Sequence, residues 1–306
     1  MEFLSYLISG ISLGSVYAII ALGYTMVYGI AKMLNFAHGD VIMIGGYVSF
    51  CAMFYLGLPN IVAVLLAVIV CTVLGVVIER LAYKPLRSAP RMSVMISAIG
   101  VSYLLQNLAL YVTGGLNKNY PTIPWISDTV SIFGATTKMV TLVTPVLTLV
   151  LVVLLVLLIN HTKIGMAMRA VAKDFETSTL MGIKINNVIS MTFIIGSFLA
   201  AIGSMLFFTN YPGVTPTVGA MPGLKAFVAA VFGGIGSIPG AVIGAFIIGI
   251  CENIIKGLDT LLVAYGVIPT GIGLSTFADA FTFVLLIIIL VFKPTGLFGE
   301  KATDKV

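Results

Sequence analysis

Six polar or ionisable side chains lie within or beside long apolar runs of the sequence. They are Asn35, His38, Asp40, Gln106, Lys225 and Glu252. Such groups are costly at membrane depth, so each is a candidate for a functional role. The two histidines of the chain stand apart from any cluster of acids or cysteines, so the sequence predicts neither a metal centre nor an acid–base catalytic set. The functional role open to these side chains is to line or gate a polar path.

The first three candidates are close together in sequence. If the stretch around Gly39 is helical or tightly turned, Asn35 and His38 share a face. One interpretation is a polar gate or the lining of an exit path, together with Asp40. The other is a self-satisfied polar turn in which Asn35 caps the next helix. The sequence leaves both interpretations open.

The other three candidates also allow two interpretations each. Lys225 follows a Pro-Gly pair and is either an interfacial lysine that reaches water or a charge that faces a cavity or pairs with an acid. Glu252 precedes Lys256 by four residues, which favours a local helical ion pair over a pathway role. Gln106 lies in the middle of an apolar run, where polar side chains either bridge helices or line a pore.

The composition determines which elements must position these residues. Of the 306 residues, 59% are hydrophobic and 9% are charged, and the mean hydropathy is +1.15. A soluble domain carries about a quarter charged residues. The composition therefore excludes a soluble enzyme, a disordered protein and a nucleic-acid-binding protein, and it predicts an all-α polytopic membrane protein.

Charge-free stretches locate the helices, because a membrane span needs about 20 apolar residues. We expect one transmembrane domain over residues 1–306, with about eight to nine membrane-embedded helices. The expected helices lie near 3–29, 40–56, 60–79, 92–113, 139–160, 188–209, 222–256 (a broken or re-entrant pair) and 274–292.

The positions of the basic residues predict the orientation. Two loops, 79–91 and 161–187, hold eight of the sixteen lysines and arginines, and the positive-inside rule assigns both to the cytoplasm. The N-terminus is then external, the C-terminus cytoplasmic and 114–138 external. Residues 35–40 are then expected toward the cytoplasmic side.

For the same topology, the glycine-rich segment 222–256 must enter the membrane and return to the outer side. Broken helices occur at membrane depth where they are buried in protein or line an aqueous cavity. Gly236, within the expected break, is therefore a further pathway candidate. An apolar helix followed by a glycine-rich segment occurs in 14–46 and again in 196–249, a pattern compatible with an inverted repeat.

The 161–187 loop has a helical hydrophobic pattern. Ile164, Met168, Val171 and Phe175 recur at steps of four, three and four, which predicts a short amphipathic helix. A second short helix is expected around 177–181, before Gly182. The loop is either a solvated surface helix or a docking element for a cytoplasmic partner.

Several motifs resemble one transporter family. Residues 176–182, Glu-Thr-Ser-Thr-Leu-Met-Gly, are similar to the E-A-A-three residues-G loop of ATP-binding-cassette importer permeases, with Thr and Ser in place of the alanines. The wider strings 169–176 and 180–183 resemble the LivH-type permeases of branched-chain amino acid importers. Residues 35–39 (Asn-Phe-Ala-His-Gly), 233–241 and 293–299 resemble further signatures of that family. The matching segments extend from residue 14 to residue 299.

The resemblance implies a permease subunit in the bacterial cytoplasmic membrane, which is not itself an enzyme and holds no cofactor. The implied partners are a second related permease, two ATP-binding subunits and an external solute-binding protein, with leucine, isoleucine and valine as substrates. The implied ATPase-coupling residues are Arg169, Ala170, Asp174, Glu176, Leu180, Met181 and Gly182.

Two alternatives stay open. The first is a permease of the same family that carries urea or short amides. The second is an ATP-independent channel or secondary transporter, which the scarcity of carboxylates within the apolar runs disfavours. We also expect the cavity of such a permease to carry few polar groups and to bind weakly, so that the external binding protein makes the tight selection.

Overall fold

The computed structural model describes residues 2–87, 89–124, 126–132, 135–264 and 273–299. Within these residues there are eleven α-helices and four short strands. The helices are α1 (Glu2–Ala31), α2 (His38–Phe54), α3 (Asn60–Ile78), α4 (Arg91–Thr113), α5 (Met139–His161), α6 (Lys163–Lys173), α7 (Phe175–Leu180), α8 (Ile185–Asn210), α9 (Ala220–Gly233), α10 (Ile238–Ala264) and α11 (Ala278–Phe292). The strands are β1 (Lys118–Asn119), β2 (Thr129–Ile132), β3 (Ala135–Lys138) and β4 (Gly213–Val214).

Six helices of the described chain are long and apolar enough to cross a membrane: α1, α3, α4, α5, α8 and α10. Three shorter apolar helices, α2, α9 and α11, complete the bundle. The predicted all-α, polytopic fold is confirmed. Local signals set several boundaries: α4 starts after Pro90 and stops at Gly114, whose φ of +68° is the left-handed conformation that glycine adopts at helix ends.

Helix α1 forms the centre of the bundle. Its residues 12–27 are buried, and it packs against α10, α8, α9 and α5. Gly14 lies against the backbone of Phe246 in α10, while Tyr6 lies near Gly257 and Gly29 near Gly236. Contacts that run in opposite order along the two helices show that α1 and α10 are antiparallel. Glycines permit this close approach of apolar helices.

The two short helices α2 and α9 begin beside each other inside the bundle. A Cβ atom on Gly39 would overlap the carbonyl oxygen of Gly219 and lie 3.2 Å from the Cα of Gly223. From this meeting point α2 runs parallel to α8, and the hydroxyl of Ser204 in α8 donates a hydrogen bond to the Ile42 carbonyl of α2. Helix α9 runs the opposite way, beside the last turns of α1. The N-terminal ends of these two short helices therefore meet in the interior.

The bundle has two distinct ends. The hairpin end carries the antiparallel β2–β3 hairpin and the β1–β4 pair, which joins Lys118–Asn119 to Gly213–Val214. There Tyr120 donates its hydroxyl to Ser49 Oγ at 3.1 Å and so ties this end to α2. The opposite end, which carries α6 and α7, is called the α6–α7 end below.

The break predicted within 222–256 lies at residues 234–237, between α9 and α10. The pair is asymmetric, because α9 has 14 residues whereas α10 has 27 and is a candidate span by itself. The backbone N–H groups of Leu297 and Phe298 donate to the carbonyls of Phe232 and Gly233, each at 2.9 Å. The C-terminal segment thus supplies donors to the last carbonyls of α9, which have no partner within a helix.

Candidate functional site

A network of charges joins three helices in the half of the bundle nearest the hairpin end. Lys225 Nζ of α9 lies 2.9 Å from Glu252 Oε1 of α10 and 2.5 Å from Asp279 Oδ1 of α11. Lys256 Nζ lies 2.7 Å from the same Glu252 oxygen. Tyr17 of α1 donates its hydroxyl to Glu252 Oε2 at 3.0 Å. Two lysines and two carboxylates therefore form one electrically balanced group.

The members of this network differ in exposure. The side chains of Lys225 and Glu252 are 7% and 2% exposed, whereas those of Lys256 and Asp279 are 41% and 47% exposed. Lys225 is therefore a buried, paired lysine rather than an interfacial one. The predicted pair four residues apart, Glu252–Lys256, is present, and it is one part of the larger network. Charges at this depth persist only when paired.

A cavity of about 360 Å³ borders the network. Lys225, Glu252 and Lys256 line it, so it is more polar than the sequence led us to expect. Tyr211 also lines it, directly after α8; burial raises the pKa of Tyr211, and the carboxylate of Glu252 raises it further. The rest of its wall is largely apolar: Leu13, Phe207, Val218, Met221 and Pro222.

Asp40 and Gln106 meet between α2 and α4. Gln106 Nε2 donates to Asp40 Oδ1 at 2.9 Å and to Ser102 Oγ at 3.2 Å. Asp40 is buried in the first turn of α2, where a carboxylate interacts favourably with the positive end of the helix dipole. Of the two interpretations of Gln106, helix bridging describes these contacts.

Asn35 and His38 point to different partners. The hydroxyl of Tyr83 donates to Asn35 Oδ1 at 3.0 Å and to the Leu34 carbonyl at 3.2 Å. The His38 ring packs edge-to-face on Tyr24 with centroids 4.9 Å apart. Asn35 does not cap α2, as one of the two interpretations required, because the N-cap residue of α2 is Ala37 and makes no side-chain cap bond. The two candidates do not form a shared polar face.

His38 lies deeper in the bundle than its expected place toward the cytoplasmic side. A Cβ atom on Gly23 would overlap the His38 ring, so His38 sits beside a residue eight positions before the end of α1. That is about 12 Å along the helix axis. The link from α1 re-enters the bundle before α2 starts, and hydropathy alone does not reveal such a return.

We predict that Tyr83→Phe lowers stability by about 1 kcal/mol, because the buried Asn35 loses the hydroxyl that donates to its carbonyl oxygen. The matched control is Tyr103→Phe, since Tyr103 is exposed. Thermal unfolding of the purified protein measures both. Equal melting temperatures for the two variants would contradict the prediction.

A second cavity, of about 630 Å³, lies at the α6–α7 end. Gly236 lines it, and so do the basic residues Lys32, Arg169 and Lys173. Gly236 has a φ of +97°, a backbone conformation that favours glycine. The pathway candidates therefore do not converge: Lys225 and Glu252 border one cavity, Gly236 borders the other, and the remaining four lie in packed contacts.

The 161–187 loop folds into two capped helices. The Thr162 hydroxyl accepts from the Gly165 N–H at the start of α6, and the Asp174 carboxylate accepts from the Glu176 N–H at the start of α7. At the end of α7, Gly182 has a φ of +80°, and the N–H groups of Gly182 and Ile183 bond to carbonyls of α7 in a Schellman arrangement. Helix α7 thus spans 175–180 rather than 177–181.

The predicted coupling residues of this unit differ in their exposure. Arg169 and Glu176 are exposed, Ala170 and Asp174 are half-buried, and the Ala170 carbonyl accepts the Asp174 N–H at 3.2 Å. Leu180 is 87% and Met181 79% exposed. In the predicted apolar stripe, Met168 and Val171 are buried, but Ile164 is 43% exposed and does not join them.

Sequence reasoning missed three polar residues. Tyr17 and Asp279 belong to the charge network, and Glu79 is fully buried, paired with Arg87 and bonded to Ser190 Oγ at 2.8 Å. The signal available was Glu79 itself, a carboxylate that directly follows a charge-free run. Within the described residues, no group of three or more His, Cys, Asp or Glu side chains could hold a metal ion.

Comparisons with known proteins agree over almost the whole chain. A family model described as the permease component of branched-chain amino acid transport systems matches residues 6–291. The chain is 39% identical over 316 residues to the high-affinity branched-chain amino acid transport system permease protein BraD of Pseudomonas aeruginosa, covering 100% of this chain and 98% of that protein. It is 40% identical over 318 residues, with the same coverage, to the LivH permease protein of the corresponding system of Escherichia coli. A more distant relative is the ribose import permease protein RbsC of Haemophilus influenzae, 26% identical over 254 residues, with 80% of this chain and 75% of that protein covered.

Proposed function

Because the chain belongs to the permease family of branched-chain amino acid transport systems, we propose that it carries leucine, isoleucine and valine across the bacterial cytoplasmic membrane. It is a multi-pass membrane protein and a permease component of an importer family, whose members are not themselves enzymes. In this proposal the energy comes from ATP hydrolysis in two partner subunits. A second related permease and an external solute-binding protein complete the transporter.

The observation that carries the proposal is the surface of the α6–α7 unit. Leu180 and Met181 are almost fully exposed although the backbone that presents them is capped at both ends. Exposed apolar side chains on a rigid helical corner are suited to a groove on a partner protein. We infer that this corner, with Glu176 beside it, docks on an ATP-binding subunit and transmits its movement to the bundle.

The orientation follows from this assignment. The α6–α7 end faces the cytoplasm, in agreement with its basic residues, and the hairpin end faces the external binding protein. The N-terminus is then external and the C-terminus cytoplasmic.

The candidate residues take different parts in this proposal. We assign Lys225 and Glu252 to the outer part of the translocation path and Gly236 to the inner part, because each lines a cavity at the corresponding end. We assign Asn35, His38, Asp40 and Gln106 to holding the short helix α2 in place, since their contacts join α2 and its preceding link to neighbouring helices.

The test is uptake by cells that produce this chain with its genomic neighbours. Radiolabelled leucine, valine and urea are offered singly and in competition, in cells with and without the ATP-binding subunits. We expect uptake of leucine and valine only where those subunits are present. Uptake that persists without them would assign the chain to channels or secondary transporters, and preference for urea would assign it to the amide branch.

We predict that Glu176→Arg reduces co-purification of the ATP-binding subunits and ATP-driven uptake by at least about ten-fold, because it reverses the charge on the proposed docking corner. The control is Asp128→Arg, which makes the same charge change at an exposed position of the hairpin end. Membrane insertion is checked for both by the amount of folded protein. Unchanged co-purification in Glu176→Arg would contradict the docking assignment.

A further inference from the structure

The balanced charge network borders the cavity of about 360 Å³ through Lys225, Glu252 and Lys256. Lys225 and Glu252 are the buried anchors, and each holds one half-exposed partner: Asp279 pairs with Lys225, and Lys256 pairs with Glu252. The two partners are half-exposed and have room to turn away from the network, whereas the anchors are enclosed. Each anchor can therefore exchange its half-exposed partner for another group of the same charge.

We propose that this network is a binding site for the charged head of a free α-amino acid. The substrate carboxylate takes the place of Asp279 on Lys225, and the substrate ammonium takes the place of Lys256 on Glu252. Lys225 Nζ and Glu252 Oε1 are 2.9 Å apart, so they present opposite charges side by side. The ammonium and carboxylate groups of an α-amino acid are attached to the same carbon atom, so their spacing matches this arrangement.

Charge balance explains why such a site suits a zwitterion. The four side chains sum to zero, and so does the amino acid, so binding leaves no uncompensated charge at low dielectric. A protonated amine or a carboxylate would add one net charge to the site. A neutral amide carries neither charge, so it could replace neither Asp279 on Lys225 nor Lys256 on Glu252.

The remainder of the cavity suits an aliphatic side chain. Its apolar wall is contributed by α1, α8 and the start of α9 through residues such as Leu13, Phe207 and Met221. A volume of about 360 Å³ lies within the range of small-molecule pockets. The inference rests on the proposed function for the substrate class and adds where in the permease that substrate is recognised.

The test uses the membrane complex in lipid nanodiscs, without the external binding protein, and saturation-transfer NMR. The four probes share an isobutyl group: leucine, leucinol (ammonium only), 4-methylpentanoate (carboxylate only) and 4-methylpentanamide (neither charge). For the unchanged protein we expect leucine to bind at least about ten-fold more tightly than any of the other three probes, the loss expected for one missing charge-assisted hydrogen bond.

Two variants remove the competing partners and spare the buried anchors. Lys256→Gln removes one of the two lysines paired with Glu252 and shifts the site by one negative charge, so leucinol should gain about ten-fold over 4-methylpentanoate. Asp279→Asn should shift the preference by a similar factor in the opposite direction. Lys138→Gln, at an exposed lysine of the same end, should leave the ranking unchanged.

The opposite signs separate recognition from a purely structural role. Equal binding of the four probes, or the same change in both variants, overturns the site. Leucine uptake is measured in parallel with the same complex in sealed proteoliposomes, supplied with ATP and the external binding protein. Uptake with equal probe binding overturns the site and leaves the importer assignment intact, whereas zwitterion-selective binding without any leucine uptake supports the site and overturns the importer assignment.

Discussion

Glu252→Leu is expected to destabilise the protein by about 3 kcal/mol and to abolish uptake. The substitution removes the acceptor for Tyr17, Lys225 and Lys256 together. Breaking a buried ion pair from one side costs about 3–5 kcal/mol, and the lower value applies here because Asp279 still pairs with Lys225. Thermal unfolding of the purified protein and the amount of folded protein in membranes measure the loss.

The control for this prediction is Asp279→Asn. Its carboxylate is 47% exposed, so its removal should cost no more than about 1 kcal/mol. The two substitutions affect the same lysine from opposite sides. If both variants melt at the same temperature, the burial of Glu252 does not increase the contribution of its ion pair to stability.

Gly39→Ala is expected to prevent the correct assembly of α2 and α9. The added methyl group would overlap the Gly219 carbonyl oxygen, so the two helix starts must separate. Overpacking of this kind costs about 1–3 kcal/mol, and here the obstacle is backbone, which cannot change rotamer. We expect a lower melting temperature and at least about a ten-fold loss of uptake.

Gly100→Ala is the matched control, because Gly100 lies in α4 with open space around the position of a Cβ atom. Alanine there should stabilise the helix by about 0.5–1 kcal/mol. The two variants therefore move stability in opposite directions with the same chemical change. Equal melting temperatures would show that the close approach of the helix starts does not matter.

The sequence predicts the helices well where one-dimensional signals coincide. The charge-free run at 92–117 begins just after Pro90 and contains the glycines at 114 and 115, and α4 occupies 91–113, between the proline and the glycines. Likewise, the four-residue spacing of Glu252 and Lys256 predicts their pair, because helix geometry fixes which residues meet.

Such local signals do not predict contacts between segments that are far apart in the sequence. Asp279 is 54 residues from Lys225 and Tyr17 is 235 residues from Glu252, and no spacing rule connects them. The depth of His38 depends on how the link after α1 folds back, which composition does not encode. The sequence therefore identified Lys225 and Glu252 as candidates but not the network that joins them.

The C-terminal segment bonded to the end of α9 has a consequence for the order of folding. The carbonyls of Phe232 and Gly233 receive their donors from Leu297 and Phe298, and each donor is synthesised 65 residues after its acceptor. At typical translation rates this interval is roughly 3–13 s. Until then the end of α9 lacks these partners, so this part of the bundle cannot close. Closure around the α9–α10 break therefore comes late, after Leu297 and Phe298 have been synthesised.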